Sequence, residues 1–187
     1  KILSILGNIC GMPLPTEIVY WANTDSHATR KKIFDSLKTI IPELKCISLR
    51  DRDMDNPDII GDRLLYKGTS LADDSPILLL QWRRKNIESY LLCPRAIAEA
   101  SGKTVEEIEK HIQQKFALAI DSDGYVEAVP PDAIITCDGK IIFNKETDGL
   151  EIAYGCNKYD VAKKMTPEEV PEDIKVFLRQ VNKLFEG

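Results

Sequence analysis

The stretch Cys46-Ile47-Ser48-Leu49-Arg50-Asp51-Arg52-Asp53 decides the fold class, because an apolar segment of strand length passes directly into a charged turn. Upstream, apolar residues recur at helical spacing from His27 to Ile41, and Pro42 ends that run. Downstream, residues 77–82 (ILLLQW) have the continuous apolar pattern of a strand that is covered on both faces. Short links between unlike elements favour an α/β domain with parallel strands.

The remaining segments extend this prediction to the whole chain. Residues 1–11 have the pattern of the last turns of a helix, which predicts that the chain is a fragment of a longer protein. Residues 17–22 (EIVYWA) are rich in β-formers and predict a strand. Further helices are predicted at 83–92, 94–100, 105–120 and 171–185, with a helix start at 166 and a short strand at 141–143. We predict one domain over 1–187, with an α/β core at 1–93 and a helical insertion and C-terminal extension at 94–187.

The composition excludes several classes of protein. The 187 residues are 43% hydrophobic and 29% charged, which is typical of a globular chain rather than a disordered one. No apolar run approaches the roughly 20 residues that a membrane-spanning helix needs, so no membrane association is predicted. Five scattered cysteines predict reduced thiols and a cytoplasmic location. The formal net charge of −5 excludes a generally basic surface, so any contact with nucleic acid must come from a local patch.

Two carboxylates follow the segment 46–50 at a spacing that suits a metal ion. Asp51 and Asp53 stand at i and i+2, which on an extended segment point to the same side. Two anions ~5 Å apart repel by about 3 kcal/mol at an effective dielectric constant of 20, and a hard divalent cation removes that repulsion. The alternative is a polar turn in which Asp and Arg pair with each other. Further acidic residues in the following loop fit a solvated loop equally well: Asp55, Asp58 and Asp62.

A third carboxylate, Glu88, follows the next predicted strand, just after Arg83, Arg84 and Lys85. If the two strands are neighbours, Glu88 and the aspartates meet at the same sheet edge, where ligands bind in open α/β sheets. Carboxylates with adjacent cations suit a metal site that handles phosphate. The alternative is an exposed helical ion pair between Arg84 and Glu88, which contributes only a few tenths of a kcal/mol.

Together, residues 48–53 (SLRDRD) and 82–92 (WRRKNIESYLL) resemble the TOPRIM domain of OLD-type (overcoming lysogenization defect) ATP-dependent nucleases. In that family one strand ends in DxD and a later one in an R-R-x-I/L-E-N-Y-L-L stretch, with Ser89 here in place of the usual Asn. The resemblance implies a TOPRIM-like three-layer α/β domain with a mainly parallel sheet between helices. It also implies metal-binding roles for Asp51, Asp53 and Glu88. Lys158 best matches the family's functional lysine, although Asn157 stands where a glycine usually precedes it.

The same resemblance implies a chemistry and a set of partners. The chemistry is DNA phosphodiester hydrolysis with Mg²⁺ or Mn²⁺, in which Glu88 and Lys158 are catalytic. Arg83, Arg84 and Lys85, together with residues 30–32, would contact the DNA phosphate backbone. ATP would act only through an ATPase domain of the same parent protein, because this chain has no phosphate loop. A further catalytic glutamate would precede Lys1, the fragment alone would be inactive, and homodimer formation is also expected.

Two other functions remain open at this point. A nucleotide-sugar transferase also uses DxD after a strand to hold Mn²⁺ and a diphosphate, but it assigns no role to residues 83–88. A catalytically inactive TOPRIM-like module for dimerisation or DNA docking would show no effect of divalent metal on stability. Outside these motifs, His27 is predicted to be a surface residue near a helix start, whereas Trp21 and Trp82 are predicted to lie in the core.

Overall fold

The computed structural model describes residues 1–61, 63–67, 75–120, 132–144 and 148–185. In these residues the chain forms two strands, β1 (Cys46–Arg50) and β2 (Ile77–Gln81). The described α-helices are α1 (Ile2–Ile9), α2 (His27–Lys38), α3 (Pro94–Ser101), α4 (Val105–Phe116), α5 (Asp132–Thr136), α6 (Gly139–Phe143), α7 (Leu150–Tyr154), α8 (Lys158–Lys164) and α9 (Glu172–Phe185). Two 3₁₀ turns complete the structure, at Pro57–Ile59 and Ile87–Leu91.

The two strands pair in parallel, from Cys46 opposite Ile77 to Arg50 opposite Gln81. Because side chains alternate along a strand, the pair has two different faces. On one face, Ile77 and Leu79 pack against Phe34 of α2. On the other face, Leu80 belongs to the main core. The strand pair therefore lies between α2 and the remaining helices, and the protein is a mixed α/β fold in which helix predominates.

The main core contains residues from both predicted parts of the chain, 1–93 and 94–187. Leu80 of β2 and Trp82, just after β2, lie in the same buried cluster as residues of α3, α8 and α9. In α9 the buried residues recur at the i, i+3, i+4 and i+7 spacing of a helix with one apolar face: Ile174, Phe177, Leu178 and Val181. Within the described ranges, no helix combines the length and the hydropathy that a membrane span requires.

The strongly patterned elements are confirmed. Both strands, α2, α3, α4 and α9 lie where the sequence predicts them, although α2 ends at Lys38 rather than Ile41. The helix α4 begins with the expected capping box between Thr104 and Glu107. Trp82 is buried in the core, as predicted.

Several local predictions are wrong. Residues 83–92 form no α-helix, since only the 3₁₀ turn Ile87–Leu91 lies within them. Residues 17–22 form no strand and Trp21 is exposed, because the described chain provides no neighbouring strand for this segment. Residues 141–143 belong to α6 instead of a strand, since the Asp138 side chain accepts from the Lys140 backbone nitrogen and starts a helix there. Thr166 precedes a turn, not a helix. His27 is buried rather than on the surface, with Nδ1 3.0 Å from Ser48 Oγ.

Candidate functional site

The first two predicted metal ligands lie in the turn that leaves β1. The backbone nitrogens of Arg52 and Asp53 both donate to the carbonyl of Lys85, at 3.1 Å each. This links the DxD turn to the segment that leaves β2. Asp53 has φ +52°, the left-handed region that Asp tolerates better than most residues. The chain conformation therefore holds both aspartates at the carboxyl end of the strand pair.

Asp51 is not paired with a neighbouring arginine. Its Oδ2 lies 2.6 Å from the Nζ of Lys140, at the start of α6. The two residues are 89 positions apart in the chain, so this ion pair is a product of the tertiary fold.

Glu88 lies in the 3₁₀ turn after β2 and is only 5% exposed. Its Oε1 lies 2.6 Å from the Nζ of Lys158, the first residue of α8. Its Oε2 is buried and has no hydrogen-bond partner among the described residues. A buried acceptor without a partner costs about 1–3 kcal/mol, so this oxygen would gain from a cation.

The negative charges of three carboxylates act on the ammonium group of Lys140. The pKa of Lys140 is raised, chiefly by its hydrogen bond with Asp51, while partial burial opposes the rise. The negative charges of Asp51, Glu88 and Asp53 raise it further. Asp51 and Asp53 follow β1 and Glu88 lies in the turn after β2, so all three lie beyond the carboxyl end of the strand pair, as the sequence predicts. Lys140 is an additional member that the sequence analysis missed.

Lysine side chains neutralise most of this carboxylate cluster. Two of its three carboxylates, Asp51 and Glu88, each hold a lysine. Among the residues that the structure describes, no three His, Cys, Asp or Glu side chains form a preassembled metal site. A divalent ion at this edge would therefore have to displace a lysine.

A cleft of about 550 Å³ opens beside the two aspartates. Arg50, Asp51 and Asp53 line it together with the rings of Tyr20 and Tyr159. Charged and aromatic groups thus border the carboxyl end of the strands, which is where open α/β sheets bind their ligands.

The position of Lys140 depends on a close backbone contact. A Cβ on Gly139 would lie 2.8 Å from the Cα of Ser89, and closer still to the Ser89 nitrogen and the Glu88 carbonyl carbon. The Gly139 nitrogen donates to Ser89 Oγ at 3.1 Å. Glycine therefore lets α6 begin directly against the turn that carries Glu88. The sequence contains no local signal for this contact, since it spans 50 positions.

The predicted DNA-contacting cations serve mainly the fold. Arg84 is 1% exposed, donates to the Ser89 carbonyl and lies over the Tyr90 ring, so it has no access to a DNA backbone. Arg83 bridges to Asp173 at 2.5 Å, and Lys85 bridges to Asp138 at 2.8 Å. The predicted phosphate contact is therefore wrong for Arg84. Arg83 and Lys85 keep part of their side chains exposed.

The other cations and carboxylates of the sequence analysis lie elsewhere. Arg30 donates to the carbonyls of Asn23 and Leu49, so it fixes the segment before α2 rather than a free surface. Asp55 accepts from the Gln81 amide at 2.7 Å. Asp62 lies outside the described residues. Asp55 therefore contributes to the turn after β1, and Arg30 to the segment before α2.

Arg52, in the middle of DxD, stabilises the turn through backbone contacts. Its guanidinium donates to the carbonyls of Arg83, Asp55 and Ile135 at 2.6–2.8 Å. We expect Arg52→Lys to lower the free energy of unfolding by about 2 kcal/mol, because an ammonium cannot reach three separate acceptors and leaves partly buried carbonyls unpaired. Urea denaturation measures this change. The surface variant Arg179→Lys is the control and should cost under about 0.5 kcal/mol; equal costs for the two variants would contradict the assignment.

Comparisons with known proteins identify no relative: no family model matches the chain, and no curated protein and no solved structure matches it significantly. The functional argument therefore depends on the residues and their geometry.

Proposed function

We propose that this chain provides part of a divalent-metal-dependent nuclease site, that is, a TOPRIM-like domain of an ATPase-linked DNA endonuclease. The observation that carries the proposal is the position of Asp51, Asp53 and Glu88, which follow β1 and β2 at the carboxyl end of one parallel strand pair. Hydrogen bonds from the Arg52 and Asp53 nitrogens to the Lys85 carbonyl join the two segments there. Three carboxylates at the carboxyl end of a parallel strand pair form a local excess of negative charge, which a cation stabilises. The resemblance of residues 48–53 and 82–92 to OLD-type nucleases supports the same conclusion.

The residues present fit Mg²⁺ or Mn²⁺. Both ions prefer hard oxygen ligands, and carboxylates are the main protein ligands for Mg²⁺. The buried Oε2 of Glu88 has no partner within the described chain. This oxygen could gain a cation without first losing a hydrogen bond, whereas Asp51 would have to release Lys140.

Each residue has a distinct part in this proposal. A bound Mg²⁺ or Mn²⁺ would polarise a phosphoryl oxygen and lower the pKa of a bound water. Asp51 and Asp53 would hold the ion, and Glu88 would orient the groups around it. Lys158, which contacts Glu88 at 2.6 Å, would stabilise negative charge on the phosphate. Lys85 remains a candidate for contact with the DNA backbone. The ATPase domain and a further glutamate would come from outside this chain.

A catalytically inactive docking module is the second candidate, and a specific observation favours it. The lysine bridges to Asp51 and Glu88 already neutralise two of the three carboxylates. If these bridges persist in the presence of divalent ions, the cluster is a structural network. Metal binding therefore distinguishes the two functions.

The test is the effect of Mg²⁺ and Mn²⁺ on thermal stability. A ligand that binds only the folded state stabilises it by RT ln(1 + [L]/Kd), so about 10 mM ion with a Kd of about 1 mM contributes ~1.4 kcal/mol. For a chain of this length that corresponds to a rise in Tm of about 3–5 °C. We expect the rise in the wild-type protein and less than about 1 °C in Asp51→Asn/Asp53→Asn, which keeps the shape of the turn but removes two charges.

The control is Asp35→Asn/Asp148→Asn, which removes two surface carboxylates that also hold lysines. It should keep the full shift. An equal shift in the Asp51/Asp53 variant and the wild type would reject the metal site, and with it the nuclease proposal.

A further inference from the structure

Lys140 occupies the position on Asp51 that a metal ion would need. Its Nζ lies 2.6 Å from Asp51 Oδ2, and the charges of Glu88 and Asp53 act on the same ammonium. The Lys140 side chain is 52% exposed, so it has solvent into which it can move. An ion pair with this exposure contributes little to stability, so its separation opposes metal binding only weakly.

The packing of α6 against the turn that carries Glu88 places Lys140 at the site. Gly139 lies against Ser89, and Asp138 is held by Lys85 and by the Asn86 amide, both at 2.8 Å. Residues on both sides of Glu88 therefore position the first turn of α6. Lys140 is the next residue, so its presence over the carboxylates follows from the packing of this helix.

Lys158 differs from Lys140 in its surroundings. It pairs with Glu88, whose side chain is almost fully buried, whereas Lys140 pairs with the more exposed Asp51. Separating the Glu88 pair would leave a buried charge without a partner, which is the costly case. The Asp51 pair can separate with both charges still in contact with water. Lys140 is therefore the lysine that can separate from its carboxylate at the lower cost.

We propose that Lys140 is a built-in competitor for the metal: its ammonium occupies Asp51 in the metal-free protein and is displaced when a divalent ion binds. This inference depends on the proposed metal site and adds a regulation of it, since the lysine lowers the apparent metal affinity. Metal binding then requires exchange of one cation for another.

The first experiment measures Mn²⁺ affinity from the electron paramagnetic resonance signal of free Mn²⁺. We expect Lys140→Gln, which removes the charge and leaves a slightly shorter polar side chain, to lower the Kd about three- to tenfold. The matched control is Lys115→Gln, because Lys115 forms a 2.6 Å bridge with Asp148 and is 48% exposed, but lies outside the site. Its Kd should equal that of the wild type.

The second experiment follows the Lys140 amine directly, by acetylation and mass spectrometry. In the wild-type protein Mn²⁺ should increase the rate of Lys140 modification, because the amine leaves Asp51. In Asp51→Asn the rate should be high with and without Mn²⁺, and Lys115 should not respond to the ion in any variant.

The outcomes separate this inference from the proposed function. If Asp51→Asn abolishes Mn²⁺ binding but Lys140→Gln leaves the Kd within twofold of the wild type, the competitor role is wrong and the metal site stands. Binding that is measurable only in Lys140→Gln would support the inference strongly. If neither the wild type nor Lys140→Gln binds Mn²⁺, the proposed function fails and this inference fails with it.

Discussion

Gly139→Ala is expected to lower the free energy of unfolding by about 3 kcal/mol or more, the upper range for inserting an atom into a packed site. The added Cβ would meet the backbone of Glu88 and Ser89, which cannot move aside as the end of a side chain can. The helix α6 must then shift, and the Gly139 N–H bond to Ser89 Oγ is lost. Urea denaturation measures the stability change, and increased acetylation of Lys140 reports the shift of α6.

Gly61→Ala is the matched control for this substitution. A Cβ at position 61 would find its nearest neighbour at 3.5 Å, an ordinary van der Waals contact, so we expect a change within about 0.5 kcal/mol. A Gly139→Ala protein as stable as the wild type would show that α6 does not pack against the turn as described.

The second large effect is a loss of stability in mild acid that depends on His27. The pKa of His27 is lowered from 6.5 to about 4, chiefly by burial and also by the positive charges of Arg50 and Arg30. The unfolded chain therefore binds a proton at this residue near pH 6.5, while the folded protein does not until about pH 4. The stability that the neutral His27 ring provides is fully present above pH 6.5. As the pH falls from about 6.5 to about 4, the free energy of unfolding decreases by about 3 kcal/mol, at 1.36 kcal/mol per pKa unit.

Measurement of the free energy of unfolding from pH 7 to pH 4 checks this prediction. The carboxylates also titrate toward the acid end, so the informative quantity is the difference between wild type and His27→Gln. The glutamine variant should lose less stability between pH 6.5 and pH 4, because it carries no titratable ring. His111→Gln is the control and should keep the wild-type slope; identical slopes in wild type and His27→Gln would refute the assignment.

The two strands could be predicted from the sequence because their physical cause is local. Residues 77–80 are apolar without interruption, and that pattern requires cover on both faces, which α2 and the main core provide. The capping box at Thr104 is equally local. Residues 17–22 have similar β propensity but no strand beside them in the described chain, so propensity alone misassigned them.

In the candidate site, too, some residues could be predicted from the sequence and others could not. Asp51, Asp53 and Glu88 could be identified because the aspartates lie in the turn after β1 and Glu88 in the turn after β2, and parallel neighbours end at the same edge. Lys140 and Gly139 could not, because their significance depends on contacts that span 89 and 50 positions. The burial of His27 against Ser48 was likewise hidden, since a residue at a helix start carries no local sign of which face packs on the sheet.

The amino-acid sequence by itself determined the strongly patterned elements and which carboxylates follow the two strands, because hydrophobic periodicity and chain direction act over a few residues. Only the tertiary structure decided which cations meet those carboxylates and which arginines are buried. Ion pairs form between groups that packing brings within a few ångströms, and packing depends on the whole core rather than on neighbours in the chain.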